Sequence, residues 1–271
     1  VGLIEILSGV ESVSAWVSGA RVLEVGCGTS MPSAYLLQSI LSSPSPVSTK
    51  TVLHLQDYNK LVLSLVSLPN LILATLPFLP PSAFVAPTTT TGEVEEEERE
   101  ESLVPELDQP GNIAMTPTLI AAFKTLLDEK NIELRFTYGD WSGLSRDIEK
   151  YDLVLTAETI YAESSVTPLL DVLRNAYELR SPDVENGTEK GLEESIGDLR
   201  VQDEWSRTPL QEGKETVVLV AAKVLYFGVG GGIQSFLAKV EESGGWSSTV
   251  KEWTKGVGRR ILRIGWDGER A

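Results

Sequence analysis

A glycine-rich turn near the amino terminus has residue types that could hold a ligand. Gly26-Cys27-Gly28 follows a short strand pattern over residues 21–26 and precedes a helix pattern that begins at Met31. Glycines at such a turn let a ligand approach the backbone closely. A dinucleotide-binding turn would have Gly or Ala where Met31 stands, which disfavours an NAD enzyme. A tight turn with no ligand is the alternative.

Two acidic residues lie near this turn in the predicted fold. Glu24 interrupts the apolar strand that leads into the turn, and a buried carboxylate needs partners. Asp57 ends a second strand pattern, residues 51–56, at about the interval expected for a ribose-binding acid. A carboxylate accepts two hydrogen bonds from a ribose diol. Capping of the following helix is a compatible role for Asp57.

Two further motifs follow strand patterns later in the chain. Gly139-Asp140-Trp141 offers an acceptor for an exocyclic amine and a flat face for a purine. The segment 156–161, TAETIY, places Glu158 and Tyr161 after the most apolar strand pattern. Because ligands bind outside the carboxyl ends of strands in open α/β sheets, we expect these motifs at one edge. For Gly139-Asp140-Trp141 the alternative is a turn whose Trp covers the core, and for residues 156–161 it is helix capping by Thr and Glu.

Three other features carry weaker signals. The glycine run in YFGVGGGI, residues 226–233, indicates either a close backbone approach or a connector. His54 and Cys27 are the only residues of their types, which excludes a disulfide and argues against a metal site. We expect His54 to be packed inside its strand and Cys27 to fill the turn, without a nucleophilic role.

The elements that must position these residues alternate between strand and helix patterns. The alternation predicts a mostly parallel sheet with helices on both faces. Strand patterns cover residues 21–26, 51–56, 133–138, 151–156, 215–227 and 260–266. Helix patterns cover residues 3–17, 31–41, 60–68, 70–76, 118–129, 166–179 and 233–242, with Pro69 expected to divide the third from the fourth.

Length and charge limit the number of domains and the kinds of partner that the chain can have. Its 271 residues predict one domain with acidic, disordered insertions at about residues 80–111 and 181–213. A net charge of −16 argues against direct nucleic-acid binding. We expect no membrane span, because prolines interrupt the apolar segment 71–85, and we see no signal peptide. The absent initiator Met suggests a fragment.

Six segments occur in an order that resembles the histidine protein methyltransferase family. The family comprises seven-strand enzymes that modify a histidine of a large-subunit ribosomal protein. The combination of ETIY with YFGVGGG is more specific than the glycine turn. The matching segments are VLEVGCGTS, LQDYN, SLPN, GDW, YDLVLTAETIY and YFGVGGGIQSF.

The resemblance implies a Rossmann-like seven-strand sheet, with the last strand inserted antiparallel, and S-adenosylmethionine as cofactor. By match, Gly26 and Gly28 approach the methionine part of the cofactor and Glu24 lies near its amino group. The remaining matches are Asp57, Tyr58 and Asn59 around the ribose and adenine, Gly139, Asp140 and Trp141 at the adenine, Thr156 in the pocket wall, and Glu158 and Tyr161 on the substrate side.

The resemblance also implies a partner and a mechanism. The partner is a basic ribosomal protein, and we expect a monomer located in the cytoplasm and nucleus. We expect Glu158, or else Tyr161, to accept a hydrogen bond from one ring N–H of the target histidine. Family enzymes have a Trp-containing segment before the first helix, so we expect the amino-terminal part of the domain to be missing here.

Two alternatives remain at this point. A lysine methyltransferase of the related seven-strand group would use a similar acid-x-x-Tyr motif. A non-catalytic module that takes part in ribosome assembly would have the same fold without the reaction. Binding of S-adenosylmethionine separates the second alternative from an enzyme, and the pH dependence of activity separates the first.

Overall fold

A single seven-stranded sheet forms the centre of the computed structural model. The structure describes residues 2–44, 48–84, 109–178, 206–207, 209–210, 215–224, 232–254 and 258–266. The strand order is β3-β2-β1-β4-β5-β7-β6. The strands are β1 Arg21–Val25, β2 Thr51–Asp57, β3 Ile132–Tyr138, β4 Leu153–Ala157, β5 Val217–Lys223, β6 Gly245–Trp253 and β7 Arg259–Trp266.

Strands β1 to β5 run parallel, and β7 is antiparallel to both of its neighbours. The predicted fold, mostly parallel with one antiparallel strand, is therefore confirmed. The strand order reverses at β1, which lies between β2 and β4. At this switch point Val25 is in register with Gln56 on one side and Thr156 on the other. The candidate motifs thus end side by side.

Helices cover both faces of the sheet, as predicted. Leu23 and Val25 pack on the face covered by α7, α8 and α9, whereas Val22 packs on the face of α1, α2, α3, α5 and α6. The helices are α1 Gly2–Leu7, α2 Val13–Val17, α3 Met31–Leu41, α4 Lys60–Val62, α5 Leu68–Thr75, α6 Pro117–Glu129, α7 Trp141–Asp147, α8 Glu163–Glu178 and α9 Ile233–Glu242.

Three details of the predicted elements are wrong. The helix pattern over residues 3–17 is split into α1 and α2. Pro69 does not divide its helix, because α4 runs into α5 through one π-helical turn, Leu63–Ser67. A proline fits there because it lies in the first turn of α5. Strand β6 was absent from the predicted patterns, since it is a half-exposed edge strand with few apolar residues.

The predicted insertions lie mostly outside the described residues. Within the first, Pro81–Phe84 forms a 3₁₀ turn that buries Ala83; within the second, the Leu210 side chain is buried. The glycine run falls largely outside the described residues as well, with Gly232 and Ile233 at the start of α9 described.

The expectation of no membrane span stays a prediction, although one helix is longer and more apolar than the sequence patterns indicated. The continuous helix Lys60–Phe78 has 19 residues and a mean hydropathy of 2.0, which meets the length and composition of a membrane span. About a third of that span is buried in the fold, 33%. Core helices meet the same two criteria, and Leu71 and Ile72 of this helix lie in the core.

His54 is packed inside β2, as expected. Its Nε2 lies 2.7 Å from the Thr137 hydroxyl oxygen, and its Nδ1 forms a hydrogen bond with the Tyr151 hydroxyl group. Burial, together with the positive charges of Arg135 and Arg21, lowers the pKa of His54 to about 4. The ring is therefore neutral at physiological pH, and it joins β2 to Thr137 of β3 and to Tyr151, which precedes β4.

We predict that His54 makes the fold sensitive to acid. In the unfolded chain the imidazole has a pKa of about 6.5 and in the folded chain about 4, so the free energy of unfolding falls as the pH drops between those values. The loss approaches about 3 kcal/mol. Urea unfolding of the wild type and His54→Gln at pH 7 and pH 4.5 measures it; equal pH dependence of the two proteins would contradict the prediction.

Candidate functional site

The glycine turn that follows β1 has a left-handed backbone at every second residue. Gly26 has φ +63°, Gly28 has φ +50° and Ser30 has φ +54°. A Cβ atom on Gly26 would lie 2.6 Å from the Thr159 methyl carbon, so this glycine is required by packing. A Cβ atom on Gly28 would meet nothing within 4 Å. Gly28 therefore presents bare backbone to open space, as a ligand-binding turn must.

A cavity of about 430 Å³ opens beside this turn. The turn and the start of α3 form one wall, and Ala157 and Glu158, which follow β4, form a second. The third wall comes from β5, β6 and β7 and includes Ala221, Trp253 and Arg259. Gly26, Gly28, Glu24 and Glu158, predicted from the sequence, thus line one cavity.

Glu24 lies at the buried end of the cavity. Its side chain is 4% exposed, and one carboxyl oxygen accepts hydrogen bonds from the backbone N–H and the hydroxyl group of Ser33. Burial raises the pKa of Glu24 to about 7, although the Ser33 hydrogen bonds oppose the rise. A carboxyl group that is half protonated at neutral pH is poised to ionise when a cation enters the cavity.

Asp57 is joined directly to the turn. One carboxylate oxygen accepts from the Gly28 N–H at 3.0 Å, and the other accepts from the Asn59 N–H at 3.0 Å. Asn59 itself caps α4 by accepting from the Leu61 N–H, and Tyr58 is 77% exposed beside it. None of these three side chains lines the cavity itself, although Asp57 is bonded to Gly28, which does.

Gln56 connects three of the predicted motifs and was missed by the sequence reasoning. Its side-chain oxygen Oε1 accepts from the Gly26 N–H at 3.2 Å and from the Trp141 ring N–H at 3.0 Å. Its amide group donates to the Gly139 carbonyl at 2.9 Å. Gln56 is fully buried. The signal in the sequence that could have identified it was a polar residue at the end of an apolar strand.

Asp140 and Thr156 make local contacts in the structure. Asp140 caps α7 by accepting from the Gly143 N–H at 2.9 Å, a role that the sequence analysis did not anticipate. Thr156 is fully buried beneath the turn, where its hydroxyl group donates to the Val25 carbonyl and meets the Thr159 hydroxyl group at 2.7 Å. Thr156 therefore stabilises the strand end that leads into the turn. Contact of Asp140 or Thr156 with a cofactor stays a prediction.

Glu158 adopts a strained backbone conformation at the mouth of the cavity. Its φ is +59°, which is rare for a residue with a Cβ atom and recurs at functional sites. Its carboxylate oxygens lie 3.5 Å from Lys223 Nζ and 3.9 Å from Arg259 Nε. Tyr161 is 49% exposed and lies outside the cavity lining, so the structure brings Glu158 but not Tyr161 to the cavity.

The remaining reactive groups do not form a second centre in the described part of the chain. Burial raises the pKa of the Cys27 thiol to about 11, so this thiol stays protonated and is a poor nucleophile. No group of three His, Cys, Asp or Glu side chains suited to a metal ion occurs among the described residues. The chemistry available is therefore that of carboxylates and backbone amides around a cavity.

Curated relatives confirm the resemblance drawn from the motifs. The chain is 28% identical over 256 residues to histidine protein methyltransferase 1 of Saccharomyces cerevisiae, covering 89% of this chain and 54% of that protein. It is 27% identical to the Schizosaccharomyces pombe protein of the same name, covering 89% and 56%, and 26% identical to the Bos taurus homologue, covering 88% and 46%. The chain thus spans about half the length of these relatives. No protein-family model matches it.

Two solved structures align with most of this chain at low sequence identity. TrmN of Thermus thermophilus superposes with a TM-score of 0.41 at 12% identity, covering 98% of this chain and 47% of TrmN. The magnesium protoporphyrin IX methyltransferase of Synechocystis, solved with bound SAM, gives a TM-score of 0.44 at 10% identity, covering 97% and 81%.

We predict that Glu24 makes the ligand-free fold less stable as the pH rises. The pKa is higher in the folded chain than in the unfolded chain, so stability is full below pH 4.5 and is lost as the pH rises through about 7. The loss is up to about 3 kcal/mol. Glu24→Gln keeps an acceptor oxygen for Ser33 and cannot ionise. Its free energy of unfolding should exceed that of the wild type at pH 8 much more than at pH 5.

Urea unfolding of both proteins at the two pH values provides the measurement. Glu163→Gln, at an exposed acid in the first turn of α8, is the matched control and should show the wild-type pH dependence. A stability difference between Glu24→Gln and the wild type that is the same at pH 5 and pH 8 would contradict the assignment.

Proposed function

We propose that this chain, a relative of the histidine protein methyltransferases, is the S-adenosylmethionine-dependent catalytic domain of a protein-histidine N-methyltransferase. The observation that carries the proposal is the placement of Gly28, Glu24 and Asp57 around one turn. Gly28 offers unobstructed backbone, Glu24 a buried acid and Asp57 a carboxylate bonded to that same glycine. The relatives supply the reaction class.

The residues present fit S-adenosylmethionine chemically. The cofactor has an α-ammonium group, for which Glu24 is a buried partner, and a ribose diol, for which the Asp57 carboxylate is a bidentate acceptor. The open face of Gly28 admits the cofactor's methionine part. When bound, S-adenosylmethionine supplies an electrophilic methyl group, so the protein has only to orient an acceptor towards it.

A neutral histidine needs no strong base to act as that acceptor. Its unperturbed pKa of about 6.5 leaves one ring nitrogen with a free lone pair at neutral pH. Glu158, at the mouth of the cavity, is the residue we assign to accept the other ring N–H and so fix the tautomer. Lys223 and Arg259 hold its carboxylate at that position, and Tyr161 is the second candidate.

The substrate and setting belong to the proposal. A basic protein of the large ribosomal subunit fits a chain of net charge −16, because opposite charge steers encounter. In this proposal the enzyme works in the cytoplasm and nucleus. It acts there as a monomer. The same negative charge opposes direct binding to nucleic acid.

The direct test combines calorimetry with mass spectrometry. We expect the chain to bind S-adenosylmethionine and to transfer methyl groups to histidine in large-subunit ribosomal proteins. The rate should rise up to about pH 7 and then level off, because the acceptor is neutral above its pKa. A lysine acceptor would give activity that climbs steeply with pH, and absence of cofactor binding would favour the non-catalytic module.

We predict that Glu158→Gln lowers kcat at least tenfold and leaves the affinity for S-adenosylmethionine unchanged, because it replaces the charged carboxylate acceptor for the imidazole N–H by a weaker, neutral amide oxygen and does not change a cofactor contact. Glu163→Gln, five residues further along, should retain wild-type kcat. Calorimetry gives the affinity and a methyl-transfer assay gives kcat. Full activity of Glu158→Gln on a histidine substrate would refute this role.

A further inference from the structure

We propose that Ser67 and Asn70 are positioning residues that hold the glycine turn in its cofactor-binding conformation. The inference rests on the proposed function and extends it to a helix outside the cavity lining. Both residues belong to the SLPN segment, residues 67–70, and the roles already described use neither of them. The evidence lies in two hydrogen bonds that cross from this helix to the turn.

The π-helical turn Leu63–Ser67 brings the two side chains to the same place. At its end the Leu68 N–H donates to the carbonyl of Leu63, five residues back. Such single π turns interrupt α-helices rarely and are frequent at functional sites. Ser67 and Asn70 are three residues apart, so they lie on one face of the helix that follows. That face meets the glycine turn.

Ser67 fixes the Gly28 carbonyl of the turn. Its fully buried hydroxyl group donates to the Gly28 carbonyl at 2.8 Å and lies 3.3 Å from the Val62 carbonyl. A hydroxyl group has one proton, which the shorter contact assigns to Gly28. The Cys27 sulfur lies 3.5 Å from the Ser67 hydroxyl oxygen. Because the Cys27 thiol stays protonated, it is the donor in this contact. Ser67 thus fastens the centre of the turn to the helix.

Asn70 holds the next carbonyl. Its side-chain amide donates to the Thr29 carbonyl at 2.9 Å. The two consecutive carbonyls of Gly28 and Thr29 are therefore both tied to one helix. Because Gly28 and Ser30 have left-handed backbones, the turn has little intrinsic preference for this conformation. Ser67 and Asn70 contribute to the preference from one side of the turn, and Gln56 and Asp57 contribute from β2.

The orientation of these carbonyls sets the direction of a donor. In a planar trans peptide the N–H points opposite to the preceding carbonyl. With the Gly28 carbonyl directed at Ser67, the Thr29 N–H points away from the helix, and Thr29 lines the cavity near Glu24. The Ser30 N–H is already used by the Cys27 carbonyl at 2.7 Å. Loss of Ser67 or Asn70 would therefore release the backbone on which the cofactor rests.

The experiment compares Ser67→Ala and Asn70→Leu with Ser64→Ala. Leucine matches the shape of asparagine without its donor, and Ser64 is an exposed serine on the same helix that bonds only within it. We expect the Kd for S-adenosylmethionine, by calorimetry, to rise about tenfold in the first two variants and to stay at the wild-type value in the control.

Kinetics separates positioning from a general loss of structure. The KM for S-adenosylmethionine should rise with the Kd, while the KM for the protein substrate and the pH profile stay unchanged. Because Asn70 is partly exposed, we expect Asn70→Leu to leave the fold intact. This variant therefore tests the inference even where Ser67→Ala lowers the Tm. Wild-type affinity in Asn70→Leu overturns the inference. A wild-type chain that does not bind S-adenosylmethionine overturns the proposed function instead.

Discussion

The sharp turn that leaves β1 at Gly26 is the constraint on which the carboxyl edge of the sheet depends. A side chain at this position would collide with Thr159, which follows β4, so the close packing of two neighbouring strand ends requires a glycine. The left-handed backbone at Gly28 and Ser30 then directs the chain into α3. The left-handed backbone of Ser30, a residue with a Cβ atom, persists only because its surroundings determine it.

Those surroundings are polar and come from every neighbouring element. Gln56 and Asp57 of β2 accept the N–H groups of Gly26 and Gly28, while Ser67 and Asn70 donate to the carbonyls of Gly28 and Thr29. Among these groups, the Gly28 carbonyl bonded to Ser67 leaves the Thr29 N–H, on the opposite side of its peptide plane, for a ligand. The same hydrogen bonds therefore stabilise the fold and prepare the site, and the π-helical turn belongs to this arrangement.

The charges of the cavity lie at its two ends. Glu24 is buried and readily protonated, whereas Glu158 is held at the mouth by Lys223 and Arg259. An acid that ionises at neutral pH suits a cationic group that enters and leaves, because its ionisation compensates the desolvation of the ligand. An acid paired with two cations near solvent is a stationary acceptor. The two carboxyl groups thus have different roles because their surroundings differ.

The sequence by itself determined the parallel core and the residues at the strand ends. Continuous apolar runs, helical spacing and glycines after strands depend on neighbours along the chain, so they identified β1, β2, β4, α3 and α9, and with them Glu24, Asp57 and Glu158. Only the tertiary structure decided the contacts that hold the turn. Gln56 meets Gly26 across 30 residues and Trp141 across 85, and Ser67 meets Gly28 across 39. Edge strand β6 and the π-helical turn were likewise set by partners distant in sequence, which local patterns do not record.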